Sequence, residues 1–151
     1  MKSHRHRYAL ILSAIAGMYW LVLFAATHYP RQIPGLDTGH LDKVVHFSAY
    51  AVLAFVVAAA CTARVGRLGW SALLALVLGL AIYGALDELT QALVNRSCSV
   101  YDWLADVAGA TVGTLLFAVV ARWWFARRQR LRQPTVAGEQ GTLDNRPEVR
   151  Q

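Results

Sequence analysis

Acidic residues are scarce in this chain, and their placement is uneven. Asp37, Asp42, Asp87, Glu88, Asp102 and Asp106 lie between or inside apolar runs, and the other three lie near the C-terminus. Asp42, His46 and Tyr50 recur every fourth residue, as do Tyr83, Asp87 and Gln91; Asp102 and Asp106 repeat the interval. Positions at that spacing share one face of a helix. Each set joins a carboxyl to groups that donate or accept hydrogen bonds. His46 or Glu88 has the chemistry of a general acid or base. Lys43 and Arg96 add cations; the planar fork of Arg96 suits an anionic headgroup, and equally a pair with Asp102 or an anchor at the interface.

The elements that must position these groups are membrane spans. The 151 residues are 56% hydrophobic and 16% charged, with a mean hydropathy of +0.37. An average soluble domain carries about 25% charged residues. The composition therefore excludes a soluble globular enzyme, a disordered chain and a coiled coil. A hydrocarbon core about 30 Å thick needs about 20 apolar residues. Four runs qualify, at residues 8–27, 44–62, 68–94 and 103–125. Residues 1–7 resemble the basic start of a signal peptide, but the following run is too long for one and no clean cleavage site follows, so it is expected to be a retained helix. Pro30, Pro34 and Gly35 break the chain between the first two runs. The expected domain plan is a basic segment 1–7, a membrane domain 8–130 and a disordered cytoplasmic tail 131–151, which has too little apolar surface to offset its ordering entropy.

Lys and Arg set the orientation. Lys2, Arg5, Arg7, Arg64, Arg67, Arg122, Arg127, Arg128, Arg130 and Arg132 fall on one side, against Arg31, Lys43 and Arg96 on the other. The first side is expected to be cytoplasmic, with both termini inside. Cys61 and Cys98 then lie on opposite sides, which excludes a bridge between them. The net charge of +6 sits in blocks that flank spans, the pattern of a membrane anchor rather than a nucleic-acid binder.

Helical rise gives depth. His46 stands about 27 Å above Arg64, Glu88 about 31 Å above Arg67 and Asp106 about 24 Å above Arg122. Three helices thus bring ionisable groups to one level near the outer edge of the hydrocarbon. Charge inside a span is costly, so these groups are expected to face one another. For Glu88 the functional reading is a headgroup contact or a proton-handling acid; the structural one is a carboxylate satisfied by Arg96 or a helix-end amide. For His46 the alternatives are a general base or a donor to Asp42 or Glu88. Asp106 reads more readily as a partner within the bundle. Gly109 and Gly113 form a GxxxG pattern that suits close helix packing. His46, Asp87, Glu88 and Asp106 offer metal-ligand types without a recognisable spacing motif, so neither metal nor cofactor is expected.

Asp42-Lys43-Val44-Val45-His46-Phe47, with Tyr50 following, resembles the second-helix signature of the VanZ-like family. Residues 83–91, Tyr-Gly-Ala-Leu-Asp-Glu-Leu-Thr-Gln, resemble its third-helix signature. Arg96, Ser99, Asp102, Asp106, Gly109 and Gly113 resemble its loop and fourth helix. The match is in order and in register from 42 to 113. It departs at Asp106, where many members carry Asn, and at Val94-Asn95, where Pro-Gly often precedes the arginine.

The resemblance implies a small multi-span envelope protein, related to one that raises teicoplanin resistance. The expected fold is an all-α membrane protein of four transmembrane helices. The expected ligand-binding set is Asp42, Lys43, His46, Tyr50, Tyr83, Asp87, Glu88, Gln91, Arg96, Asp102 and Asp106. Besides the bilayer, the candidate partner is an envelope lipid or lipid-linked precursor. A membrane-embedded enzyme acting on a lipid headgroup and a structural assembly protein are the alternatives. Oligomeric state is not legible.

Overall fold

The computed structural model describes residues 2–29, 40–91, 93 and 98–131. Four helices account for nearly all of them: α1 (Lys2–Thr27), α2 (His40–Val65), α3 (Trp70–Gln91) and α4 (Val100–Arg130). All four are long and apolar enough to cross a bilayer. The protein is therefore an all-α, multi-pass membrane protein. The structure divides into two compact units, residues 1–118 and 119–151.

α1, α2 and α4 outrun the apolar segments that announce them. α1 begins at Lys2 rather than residue 8, and α2 runs from His40 to Val65 rather than 44–62. Hydropathy marks what lies in hydrocarbon, whereas backbone hydrogen bonding continues until a residue stops it. Gly66 stops α2. Its φ of 100° suits a residue without a Cβ, and its N–H donates to the Thr62 carbonyl at 2.8 Å, closing the helix end. α3 starts at Trp70, two residues after its apolar run begins. Ser99 starts α4 as an N-cap, its Oγ accepting from the Asp102 N–H at 3.3 Å.

Within residues 1–118, α3 shows the division of labour on one helix. Leu74, Leu78, Ile82, Leu86 and Leu89 are exposed, as suits contact with lipid, while Gly84, Asp87, Glu88 and Gln91 are buried. α1 and α2 are tied by side chains along their length. Tyr19 OH donates to the Ala49 carbonyl at 3.1 Å, and Arg64 Nε donates to Ser13 Oγ at 2.9 Å. Trp103 Nε1 joins α4 to α3 by donating to the Ala81 carbonyl at 2.9 Å. Tyr50, Ala54 and Ala110 form the buried apolar centre, with Leu23, Leu80 and Tyr83 against it.

The backbones of α2 and α4 approach closely. A Cβ on Gly109 would overlap the Phe47 backbone, and one on Gly113 would overlap that of Ala51. The same face of α4 buries Asp102, Asp106, Ala110 and Phe117. Without a hydrophobic drive between helices in lipid, such close backbone approach supplies the packing. In the unit 119–151, Arg127 and Arg128 lie over the rings of Trp123 and Trp124, at 5.3 and 4.8 Å from their centroids. Cys61 and Cys98 are both free thiols.

The seam makes a direct prediction. Gly113→Ala forces two backbones apart and lowers stability by about 1–3 kcal/mol, the usual cost of overpacking. Gly17→Ala, where nothing lies within 4 Å, leaves stability unchanged or raised. Unfolding of both variants in detergent micelles checks the contrast; equal stabilities would contradict the packing assignment.

Candidate functional site

The C-terminal ends of α1 and α3 meet the N-terminal ends of α2 and α4, and the polar residues of the bundle gather there. Three groups of contacts build the layer.

The first joins α2 to α4. His46 Nδ1 donates to Asp106 Oδ1 at 3.0 Å, with both side chains buried. His46 Nε2 lies 4.0 Å from Asp42 Oδ1. The ring is therefore flanked by a carboxylate at each nitrogen, one deep and one half-buried. Helical spacing supplies Asp42 one turn before His46, and the glycine seam supplies Asp106 from across the interface. Nearer the helix ends, Lys43 Nζ stands 3.4 Å from Asp102 Oδ1. Among the described residues that oxygen makes no hydrogen bond, and the ammonium supplies its ion pair.

The second joins α3 to α4. Glu88 Oε2 accepts the Ser99 N–H at 2.9 Å. Ser99 is the N-cap of α4, and in a capping box the third helical residue would take that amide. Here Asp102 occupies that position but pairs with Lys43, and Glu88 from α3 takes the amide instead. Glu88 thus has a structural task, the helix-end amide that its sequence position allowed.

The third joins α1 to α3. Asp87 accepts from Gln91 Nε2 at 3.0 Å, from Thr27 Oγ1 at 3.3 Å and from Tyr83 OH at 3.4 Å. His28 Nδ1 stands 3.8 Å from the same carboxylate, and its Nε2 meets Thr90 Oγ1 at 2.9 Å. Tyr83 and Gln91 were legible from spacing. Thr90 enters only through the third-helix signature, and Thr27 and His28 carry no signal in the sequence, because a span-end threonine and histidine look like ordinary interfacial residues.

Between these groups lie unspent polar atoms. Among the described residues Tyr50 OH and Asp106 Oδ2 have no hydrogen-bond partner, although each residue is only 1% exposed. Both border the space left by Gly84: a Cβ there would stand 3.3 Å from Tyr50 OH and 3.4 Å from Asp106 Oδ2. Ligand atoms of His46, Glu88 and Asp106 all lie within 4.8 Å of one another. Those of Asp42, His46 and Asp102 do the same. Ten of the eleven expected ligand-binding residues are thus seen at this end of the bundle, while Arg96 falls outside the described residues.

A family model described as VanZ/LLP1 matches residues 2–122. The chain belongs to the VanZ/LLP1 family. The match takes in all four helix starts and every residue of the polar layer. No curated protein and no solved structure matches the chain. Within this VanZ/LLP1 chain, Asp106 is the residue around which the layer closes: it meets His46, and its second oxygen faces Gly84.

The amide held by Glu88 is testable. Glu88→Ala leaves the part-buried Ser99 amide at the start of α4 without that acceptor, at a cost of about 1 kcal/mol. Hydrogen exchange at the Ser99 amide accelerates in this variant and stays slow in Glu88→Gln, which keeps an acceptor oxygen. Unchanged exchange in Glu88→Ala would refute the cap.

Proposed function

We propose that this VanZ-like protein holds the polar headgroup of an amphiphilic or lipid-linked envelope molecule in the buried layer at one end of its bundle. The observation that carries this reading is the meeting of His46, Glu88 and Asp106 from three helices, with Tyr50 OH and Asp106 Oδ2 left without partners. Unpaired polar atoms in a span cost free energy, so their retention favours a role in binding. The acceptors outnumber the cations, which suits a headgroup rich in hydroxyl or ammonium donors. Asp87 and Arg96 extend the contacts, and His46 orients them.

The proposed location is the cytoplasmic membrane, with both termini in the cytoplasm and the polar layer toward the outer leaflet. The excess of Lys and Arg beside the inward ends supports that orientation. From that position the protein would influence glycopeptide susceptibility by binding an envelope precursor.

A second reading is a membrane enzyme that modifies a lipid headgroup. It is favoured by one feature, a histidine held between Asp106 and Asp42 in the manner of an oriented acid–base group. Product formation from a labelled envelope lipid, lost in His46→Ala, would distinguish turnover from binding.

Native mass spectrometry of the full chain beside Glu88→Gln tests the binding reading. A specific lipid retained by the parent protein and lost from the variant is the expected result. Equal retention by both proteins, or retention by neither, would overturn it.

A further inference from the structure

We propose that His46, Glu88 and Asp106 form a site for one divalent transition-metal ion of the zinc class, with Asp42 orienting the histidine from its far side. Three features of the fold meet at this point.

The first is the donor set. One imidazole nitrogen and two carboxylates, all buried, lie within 4.8 Å of one another. Bound zinc stands about 2.0–2.2 Å from such donors, which sets them about 3.5 Å apart. Small side-chain rotations bring these three to that separation, and Asp106 Oδ1 is already 3.0 Å from His46 Nδ1. An imidazole in the set favours zinc, cobalt or iron over magnesium or calcium, which prefer oxygen alone.

The second is the surroundings of the histidine. Metal-bound histidines almost always donate their other ring N–H to a carboxylate or carbonyl. His46 Nδ1 points to Asp106 and Nε2 points to Asp42, 4.0 Å away. A metal at Nδ1 takes the place of the proton there, which shifts to Nε2 in a neutral ring and is released to water from a doubly protonated one; the N–H at Nε2 then faces Asp42.

The third is an unpartnered group aimed at the same place. Tyr50 is 1% exposed, and its hydroxyl has no partner among the described residues. It faces the space beside Gly84 that Asp106 Oδ2 also faces. A water on the open coordination position would accept or donate at that hydroxyl. The divalent charge would also balance two carboxylates buried side by side, which otherwise carry a heavy desolvation cost.

The site does not depend on headgroup binding, because it is assayed with the metal ion alone. The full chain, purified without an affinity tag, carries His4→Ala and His6→Ala so that its N-terminal histidines give no signal. After chelation it is titrated with Co2+ in nanodiscs, and d–d absorption is followed. The expected result is saturable binding of one Co2+ per chain, displaced by Zn2+ and not by Mg2+. Glu88→Gln and Asp106→Asn each abolish the absorption band, while Asp42→Asn weakens affinity about 10-fold. Circular dichroism identifies the folded variants, and either carboxylate variant alone suffices. Absence of saturable Co2+ binding by the folded parent, or its persistence in a folded carboxylate variant, overturns the site. Lipid retention measured on the same preparations reports separately on the headgroup reading.

Discussion

A histidine and a carboxylate meeting inside a membrane bundle constrain everything packed around them. His46 and Asp106 touch at 3.0 Å, and neither reaches the surface to any useful extent. In hydrocarbon there is no water to take over if the contact opens, so each polar group depends on its protein partner. Replacing one member strands the other, at a cost of about 3–5 kcal/mol for a buried pair. The register of α2 against α4 is therefore fixed by chemistry as well as by shape.

Shape makes the contact available. Gly109 sits against the Phe47 backbone and Gly113 against that of Ala51, one position beyond His46 and Tyr50 respectively. Asp106 lies on the same α4 face, one turn before Gly109. The small residues that allow the backbones to close thus deliver the carboxylate to the imidazole. The remaining contacts extend from this seam. Glu88 reaches over from α3 to hold the start of α4, and Asp87 holds the end of α1 through Thr27.

Much of this was legible in the sequence, and the reasons are specific. Periodicity placed Tyr83, Asp87 and Gln91 on one face, and they do meet through hydrogen bonds. Helical rise placed His46, Glu88 and Asp106 at one depth, and the fold brings them together. Pair identity was not legible. Spacing gave His46 a choice of Asp42 or Glu88, whereas the glycine seam gives it Asp106. The contribution of α1 was also hidden, because Thr27 and His28 acquire meaning only when α3 lies beside them. The end of α2 and the start of α4 depart from their apolar runs because Gly66 and Ser99, not hydropathy, cap them.

The central claim is that His46 and Asp106 act as one unit. A double-mutant cycle on unfolding in micelles, using His46→Gln and Asp106→Asn singly and together, measures it. The account predicts non-additivity, with a coupling between about 0.5 and 3 kcal/mol, the range found for contacting pairs. Additive effects, within about 0.5 kcal/mol, would show that the two residues are energetically independent and would contradict it.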